Sequence, residues 1–291
     1  MRQIGAVMDG TVSSNEHSGL ELPDRCAVTL SKTRNLNLCE KIFLLALLRS
    51  TGYGENASFR YLIESSVPWA PCEAYSGFMI SALTRRGILV PSGPENAIIR
   101  IKTSPMCRDV MGIRGWKLDP NIDWPNLTLL SDEIRYEERH QAHVDDLLSM
   151  WQELSVAEAI GHLAYQLSQM KFDSSLAEAA GPAFFELSTS WAISELYFLS
   201  WVVSRDFAAW QAREMTREPA VQHAAICAMA TSKSKVLSRN KTIKSFPRSQ
   251  WLYESSVSHS FAHIALHLGD RFIKLPPSEE LVLSFDPEGS A

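Results

Sequence analysis

The sequence lacks the features that mark several large classes of protein. Its five cysteines are scattered, odd in number and show no CxxC, which favours reduced thiols in a cytoplasm over a disulfide framework. No stretch approaches the roughly 20 apolar residues of a membrane span, and the N-terminus has no apolar run typical of a secretory signal. We therefore expect a cytoplasmic protein that does not enter a membrane.

Motifs of common enzyme classes are also missing. There is no GxxxxGK[ST] phosphate loop, no GxSxG nucleophile elbow and no HExxH zinc motif. Acidic pairs such as Asp132-Glu133 alternate with arginines and are typical of a solvent-facing helix surface. The sequence therefore indicates no reaction and no cofactor, and we expect a protein that is not an enzyme.

The overall charge restricts the kind of partner. The 291 residues carry a net charge of −5, so the molecule as a whole is not a polycation that would coat nucleic acid. With 45% hydrophobic and 21% charged residues, the composition is that of an ordinary globular protein. Any contact with nucleic acid would have to come from a local basic patch.

The length and the pattern of apolar residues predict two domains of a mainly α protein. The first contains a small β-hairpin, and the second is entirely helical. In chain order we expect a flexible N-terminal segment, the first domain, an irregular connector, the helical domain and a loose acidic tail, at residues 1–35, 36–103, 104–128, 129–275 and 276–291.

Four stretches define the first domain. LCEKIFLLALLRS has apolar residues close to helical spacing, and SFRYLIESS predicts a second, short helix. A third helix begins at Pro71 in PCEAYSGFMISALTRR, and Gly87 ends it, as glycine commonly does. ILVP and IIRI then flank the turn SGPENA, which predicts a β-hairpin.

The order helix, helix, turn, helix and hairpin resembles the winged-helix (winged helix-turn-helix) DNA-binding superfamily over residues 36–103. The string SALTRRGILV is similar to the junction at which that family's recognition helix ends before the wing. The resemblance implies that the third helix enters a DNA major groove and that the hairpin tip touches the phosphate backbone. The polar residues that it nominates for nucleic-acid contact are Ser76, Ser81, Thr84, Arg85 and Arg86.

This third helix only half fits base reading. Base edges are best matched by Arg, Lys, Asn and Gln, and the helix offers two arginines but no Asn, Gln or Lys. The wing tip has one acid and no base. The alternative is that the winged helix packs against protein.

The C-terminal domain reads as a series of helices. One opens at Ser131, and the next begins with a capping box formed by Ser155 and Glu158. Another starts at Gly181 and continues through the following tryptophans, and a further helix starts at Pro219. Core packing, rather than a ligand pocket, is expected for the aromatic residues Trp191, Tyr197, Phe198, Trp201, Phe207 and Trp210.

A basic segment at residues 232–251 stands out in this acidic protein because it has no acid. It contains hydroxyl residues and the aromatic residues Phe246 and Trp251, which a surface that tracks a phosphate backbone and stacks bases would use. The other interpretation is a solvated loop between helices, which is what most charge runs are. Its six candidates for phosphate contact are Lys233, Lys235, Arg239, Lys241, Lys244 and Arg248.

Three histidines recur every fourth residue at His259, His263 and His267. On an α-helix they would lie along one stripe, and two histidines spaced i and i+4 can chelate a metal. No cysteine partners accompany them, and the intervening residues other than Ser260 are apolar. We therefore expect a polar stripe on an amphipathic helix and no metal, with these three histidines as the candidates if a metal is bound.

These features favour a DNA-binding protein, a transcriptional regulator whose helical domain dimerises or senses a ligand. The alternative is a non-enzymatic interaction subunit of a larger DNA-handling or phage-defence complex. That subunit would contact nucleic acid mainly through residues 233–248. DNA and either a protein partner or a second copy of the chain are the expected partners.

Overall fold

The computed structural model describes residues 36–51, 67–91, 116–119, 127–137, 140–240, 242–250 and 252–284. Within these ranges the chain is mainly helical, as expected. None of the described helices combines the length and the apolar composition that crossing a bilayer requires. Outside the described residues lie the predicted flexible segment, the predicted second helix and the predicted hairpin tip with its second strand, at residues 1–35, 58–66 and 92–101.

Helix α1 (Leu38–Thr51) begins with a reciprocal cap. The side chain of Asn37 accepts a hydrogen bond from the backbone N–H of Glu40 at 2.8 Å, and the Glu40 carboxylate accepts one from the backbone N–H of Asn37 at 3.0 Å. Two N–H groups that the helix leaves without partners are thereby satisfied. Every residue from Leu38 to Leu48 except Cys39 is buried, so α1 is a central helix.

Helix α2 (Glu73–Arg85) corresponds to the predicted third helix and begins two residues after Pro71. It ends as predicted at Gly87, whose φ of 70° is a conformation that side chains disfavour. The backbone N–H groups of Gly87 and Ile88 return to carbonyls in the last turn of α2, at 2.9 and 3.0 Å. These two hydrogen bonds form a Schellman motif, the helix ending that a glycine at this position favours.

Strand β1 (Leu89–Pro91) pairs antiparallel with β2 (Trp116–Leu118), with Leu89 opposite Leu118. The prediction of an irregular connector at residues 104–128 is therefore wrong at β2. Three residues are too few to show the alternation by which a strand is recognised, and nearby prolines and glycines favour a loop. The predicted hairpin partner of β1, at residues 98–101, lies outside the described residues.

Helices α3 (Leu127–Tyr136) and α4 (Gln141–Gln169) replace the helices predicted to start at Ser131 and Ser155. Both serines lie inside helices, where each hydroxyl donates to the carbonyl four residues earlier at 2.8 Å. The predicted capping box of Ser155 with Glu158 is therefore wrong. A serine hydroxyl can donate to a carbonyl of the preceding turn of its own helix, so serine is compatible with a position inside a helix as well as with a helix start.

The next elements are a 3₁₀ helix (Ser174–Ala180), α5 (Gly181–Leu187), α6 (Ile193–Glu214) and α7 (Pro219–Asn240). The start of α5 and the start of α7 confirm the predictions at Gly181 and Pro219. The prediction that α5 continues through the tryptophans is wrong, because the chain breaks at the Ser-Thr-Ser sequence that follows it. Hydroxyl residues bond to nearby backbone and so compete with the helix.

The C-terminal part of the chain contains α8 (Ser256–His259), which runs directly into a π-helical turn (Ser260–Ala265). A short 3₁₀ turn (Gly269–Arg271) and α9 (Glu279–Leu283) follow. The prediction of a loose tail from residue 276 is wrong for α9, because Val282 is fully buried. Burial of that one side chain attaches the segment to the core.

Two hydrophobic cores share the long helix α4. The first joins α1, α2, α3 and the first half of α4 with α8, the π-helical turn and α9. The second joins the rest of α4 with α5, α6 and α7. Backbone N–H groups of Ser256 and Val257 donate to the carbonyls of Pro68 and Trp69 at 2.8 and 3.0 Å. The first core therefore contains residues from both predicted domains, because α4 continues without a break and the chain returns to α1 after α7.

The prediction that the tryptophan-rich region forms core is confirmed for its buried members. Phe207 and Tyr197 are fully buried. Trp201 and Trp210 are half-buried and pack at the edge of the second core. The remaining buried members are Trp191 and Phe198.

Candidate functional site

The small polar residues of α2 that the winged-helix resemblance nominates face mostly inward. Ser76 is buried, and its hydroxyl donates to the carbonyl of Cys72 at 3.2 Å. The hydroxyl of Thr84 is buried without a hydrogen-bond partner among the described residues. Ser81 is half-buried. None of the three offers a fully exposed side chain to a base edge.

The two arginines at the end of α2 differ in their surroundings. The Nε of Arg86 donates to Glu40 Oε1 at 2.7 Å, and this hydrogen bond raises the pKa of the Arg86 guanidinium above its ordinary value. Arg85 is exposed, and its Nε donates to the carbonyl of Ser81 at 3.3 Å. The Glu40 carboxylate thus neutralises part of the positive charge of Arg85 and Arg86.

The N-terminal end of α2 lies against α4. A Cβ atom at Gly161 of α4 would overlap the carbonyl of Pro71, which precedes α2, so only glycine permits this approach. The adjacent surface of α2 forms one wall of an apolar groove with α4. In helix-turn-helix proteins the N-terminal residues of the recognition helix contact base edges. In this protein the segment before that end packs closely on α4 at Gly161, although Glu73 itself is exposed.

The basic segment divides into residues with different surroundings. Lys233 pairs with Asp206 of α6 at 2.5 Å. Phe246 is half-buried and packs against the rings of Phe198 and Trp201, so it is not a free stacking surface. Lys241 lies outside the described residues, as does Trp251.

Three other cations of that segment are exposed. Lys235 and Arg239 are four residues apart on α7 and therefore lie on one face of that helix. Lys244 lies on the coil that follows, which is fixed to α6 by a hydrogen bond from Phe246 N–H to the carbonyl of Ser194 at 2.9 Å. In the part of the chain that the structure describes, no ion pair joins these three cations to an acid. We call Lys235, Arg239 and Lys244 the basic surface.

The sixth cation of the segment, Arg248, points into the molecule towards Glu158 of α4. Glu158 is only 3% exposed and accepts hydrogen bonds from Arg248 Nη2 at 3.0 Å and from the Ser258 hydroxyl at 2.6 Å. The Tyr197 hydroxyl donates a short hydrogen bond to its second oxygen. Burial and the Glu158 charge raise the pKa of Tyr197 well above its ordinary value, so Tyr197 remains a donor.

Arg248 also connects this network to a cluster near the surface. Its Nη1 donates to Glu254 Oε1 at 3.1 Å. The other oxygen of Glu254 lies 2.9 Å from His259 Nδ1 and 3.6 Å from His263 Nε2. The two imidazole rings are stacked, with centroids 4.3 Å apart and planes 18° from parallel. We call Glu254, His259 and His263 the Glu-His cluster.

The predicted stripe of three histidines is wrong at His267. The π-helical turn ends before that residue, whose φ of 53° places it outside the helix. One ligand atom from each of Glu254, His259 and His263 lies within 4.8 Å of the others. The structure therefore brings two of the predicted histidines together with a carboxylate.

No protein-family model, curated protein or solved structure matches this chain.

Sequence reasoning missed the two glutamates that organise these contacts. Glu158 was interpreted as part of a helix cap, although it stands among apolar residues in AEAIGHLAY, which is a signal for a buried charge. Glu254 precedes the histidines in an E-x₄-H-x₃-H spacing. Because Glu158 and Arg248 lie far apart along the chain, no local sequence pattern indicates that they form an ion pair.

Proposed function

We propose that this protein binds nucleic acid through phosphate contacts made by the basic surface, as a non-enzymatic component rather than as a reader of base sequence. The observation that carries the proposal is the exposure of Lys235, Arg239 and Lys244 without ion pairs to described acids. Residues 219–250 contain no acid at all. Phosphate neutralisation by such cations supplies most non-specific affinity for nucleic acid.

The geometry of the basic surface supports this role. Lys235 and Arg239 project from a regular helix, so their spacing is fixed by about 6 Å of helical rise. Lys244 is next to Ile243, which packs on the second core, and two residues from Phe246, which is anchored on α6. Cations on fixed backbone lose less entropy on binding than cations on a free tail.

The surroundings of α2 favour this proposal over a sequence-specific regulator. Ser76 is buried, Arg86 is paired with Glu40, and the N-terminal end of α2 lies against α4. In our proposal the winged-helix-like elements of the first core serve as packing and docking elements. The winged-helix resemblance itself, a protein partner and a second copy of the chain all stay predictions.

The test compares matched variants in fluorescence anisotropy with labelled single-stranded and duplex DNA at low salt. The triple variant Lys235→Gln, Arg239→Gln and Lys244→Gln is expected to lose about tenfold or more in affinity for every sequence. The control is the double variant Arg85→Gln and Arg86→Gln, which removes the arginines of α2 and is expected to change affinity less than twofold.

Two results would reject the proposal. If the protein binds neither DNA at low salt, the basic surface is only a solvated face. If the control variant loses as much affinity as the triple variant, or loses preference for one duplex sequence, α2 is the contact and the regulator interpretation replaces ours.

A further inference from the structure

We propose that Glu254, His259 and His263 form a binding site for a divalent transition-metal ion such as Zn²⁺. The site is distinct from the basic surface and contributes none of the cations in the proposed nucleic-acid contact. It lies where the coil after α7 meets the start of α8 and the π-helical turn.

The separations between the ligand atoms fit a metal site. Zn–N and Zn–O bonds of about 2.0–2.2 Å place the ligand atoms of a tetrahedral site about 3.3 Å apart. The distances from Glu254 Oε2 to His259 Nδ1 and to His263 Nε2, 2.9 and 3.6 Å, fall on either side of that value. Small side-chain rotations would bring all three atoms to bonding distance of one ion.

The chemistry of the donor set selects the kind of ion. Two imidazoles and one carboxylate suit borderline ions such as Zn²⁺ and other first-row divalent ions better than Mg²⁺ or Ca²⁺, which prefer oxygen ligands. Three protein ligands leave at least one coordination position for water or another molecule. The side chains of His259, His263 and Glu254 are 36%, 35% and 27% exposed, so an ion can reach them from solvent.

Arg248 positions the carboxylate ligand. It holds Glu254 Oε1 at 3.1 Å and thereby directs Oε2 towards the two histidines. Its own charge is balanced by the buried Glu158 at 3.0 Å, so the cluster is not left with a net positive charge that would repel a cation. Partners of this kind, which orient a ligand through its second oxygen, tune metal sites.

The backbone fixes the two histidines in register. The Ser255 side chain accepts a hydrogen bond from the backbone N–H of Ser258 at 3.2 Å and so caps the start of α8, the helix that ends at His259. The π-helical turn carries His263, and Gly269, with a φ of 52°, lies near its ring, since a Cβ at that position would be 3.6 Å from it. Single π-helical turns within helices occur frequently at functional sites.

The experiment titrates Zn²⁺ into the metal-free chain of 291 residues by isothermal calorimetry, and repeats the titration in competition with a chelator. We expect one ion per chain. His259→Ala, His263→Ala and Glu254→Gln should each weaken binding at least about tenfold, while His223→Ala, an exposed histidine of α7 outside the cluster, should leave binding unchanged. Thermal unfolding of each metal-free variant checks that it folds.

Cobalt supplies a second readout that does not depend on affinity. The Co²⁺-loaded protein should show visible absorption bands of a low-coordinate site, and the ligand variants should lose them. The proposal is overturned if the wild-type protein binds no stoichiometric Zn²⁺, or if the His259→Ala, His263→Ala double variant binds as tightly as the wild type. In either case the cluster is held by hydrogen bonds alone.

Discussion

Glu158 is the residue on which the interior polar contacts converge. It is buried, and its carboxylate receives hydrogen bonds from Arg248, Tyr197 and Ser258. These partners come from α6, α8 and the coil after α7, so one side chain of α4 connects three separate parts of the chain. Removing one member of such a buried pair leaves the other charge uncompensated.

Glu158→Gln should therefore lower the free energy of unfolding by about 3 kcal/mol, because Arg248 loses its buried counter-charge and keeps only the partly exposed Glu254. Urea denaturation followed by circular dichroism measures this change. The matched control is Asp206→Asn, which breaks partly exposed ion pairs with Lys233 and Arg205 and should cost less than about 1 kcal/mol. Equal losses for the two variants would contradict the role given to Glu158.

His162 supplies a prediction about pH. It is buried against Tyr197, with ring centroids 4.6 Å apart, and burial lowers its pKa to about 4. The unfolded chain binds a proton near pH 6.5 while the folded protein does not. The contribution of His162 to stability is therefore full above about pH 6.5 and declines as the pH falls towards 4.

His162→Gln should remove that decline. Between pH 6.5 and 4 the stability of the wild type relative to the variant should fall by at most about 3 kcal/mol, measured by urea denaturation at each pH. The same comparison between pH 7 and 8 serves as the control, because both side chains are then neutral and the difference should stay constant. A difference that does not change with pH below 6.5 would show that His162 is protonated in the folded protein.

At the scale of elements, the close approach between Gly161 of α4 and the backbone of Pro71 fixes the position of the N-terminal end of α2. Gly161 has no side chain, which allows the carbonyl of Pro71 to approach α4. Alanine is a better helix former than glycine by about 1 kcal/mol. Propensity alone would therefore predict that alanine at this position stabilises the protein.

We expect the opposite sign. Gly161→Ala should destabilise the protein by about 1–3 kcal/mol, because the new methyl group must displace the segment before α2. The matched control is Gly181→Ala at the start of α5, where a Cβ would make only an ordinary contact at 3.6 Å and should cost less than about 0.5 kcal/mol. Thermal and urea unfolding measure both, and a stabilised Gly161→Ala protein would contradict the packing.

The elements also show what local sequence can and cannot predict. The end of α2 at Gly87 and the start of α7 at Pro219 were predictable, because glycine and proline restrict or permit backbone conformations at their own positions. The unbroken α4 was not, since Ser155 satisfies its own hydroxyl inside the helix. The π-helical turn that removes His267 from the histidine stripe has no recognised sequence signal.

At the scale of the whole molecule, contacts between distant residues determine what each charge does. The six cations of the basic segment looked equivalent along the chain. Folding pairs Lys233 with Asp206 and directs Arg248 to Glu158, while Lys235, Arg239 and Lys244 stay exposed. The existence of a basic surface was therefore predictable from composition. Which cations belong to it depends on the tertiary contacts that pair Lys233 with α6 and Arg248 with α4.

The salt dependence of DNA binding tests this account most directly. Three phosphate contacts predict that log K falls with log salt concentration with a slope of about −2 to −3 for the wild type. The triple variant of the basic surface, Lys235→Gln, Arg239→Gln and Lys244→Gln, should bind weakly. Its slope of log K against log salt concentration should be less negative than that of the wild type by about 2. Absence of binding at low salt, or the same slope in the wild type and the variant, would contradict the proposed basic surface.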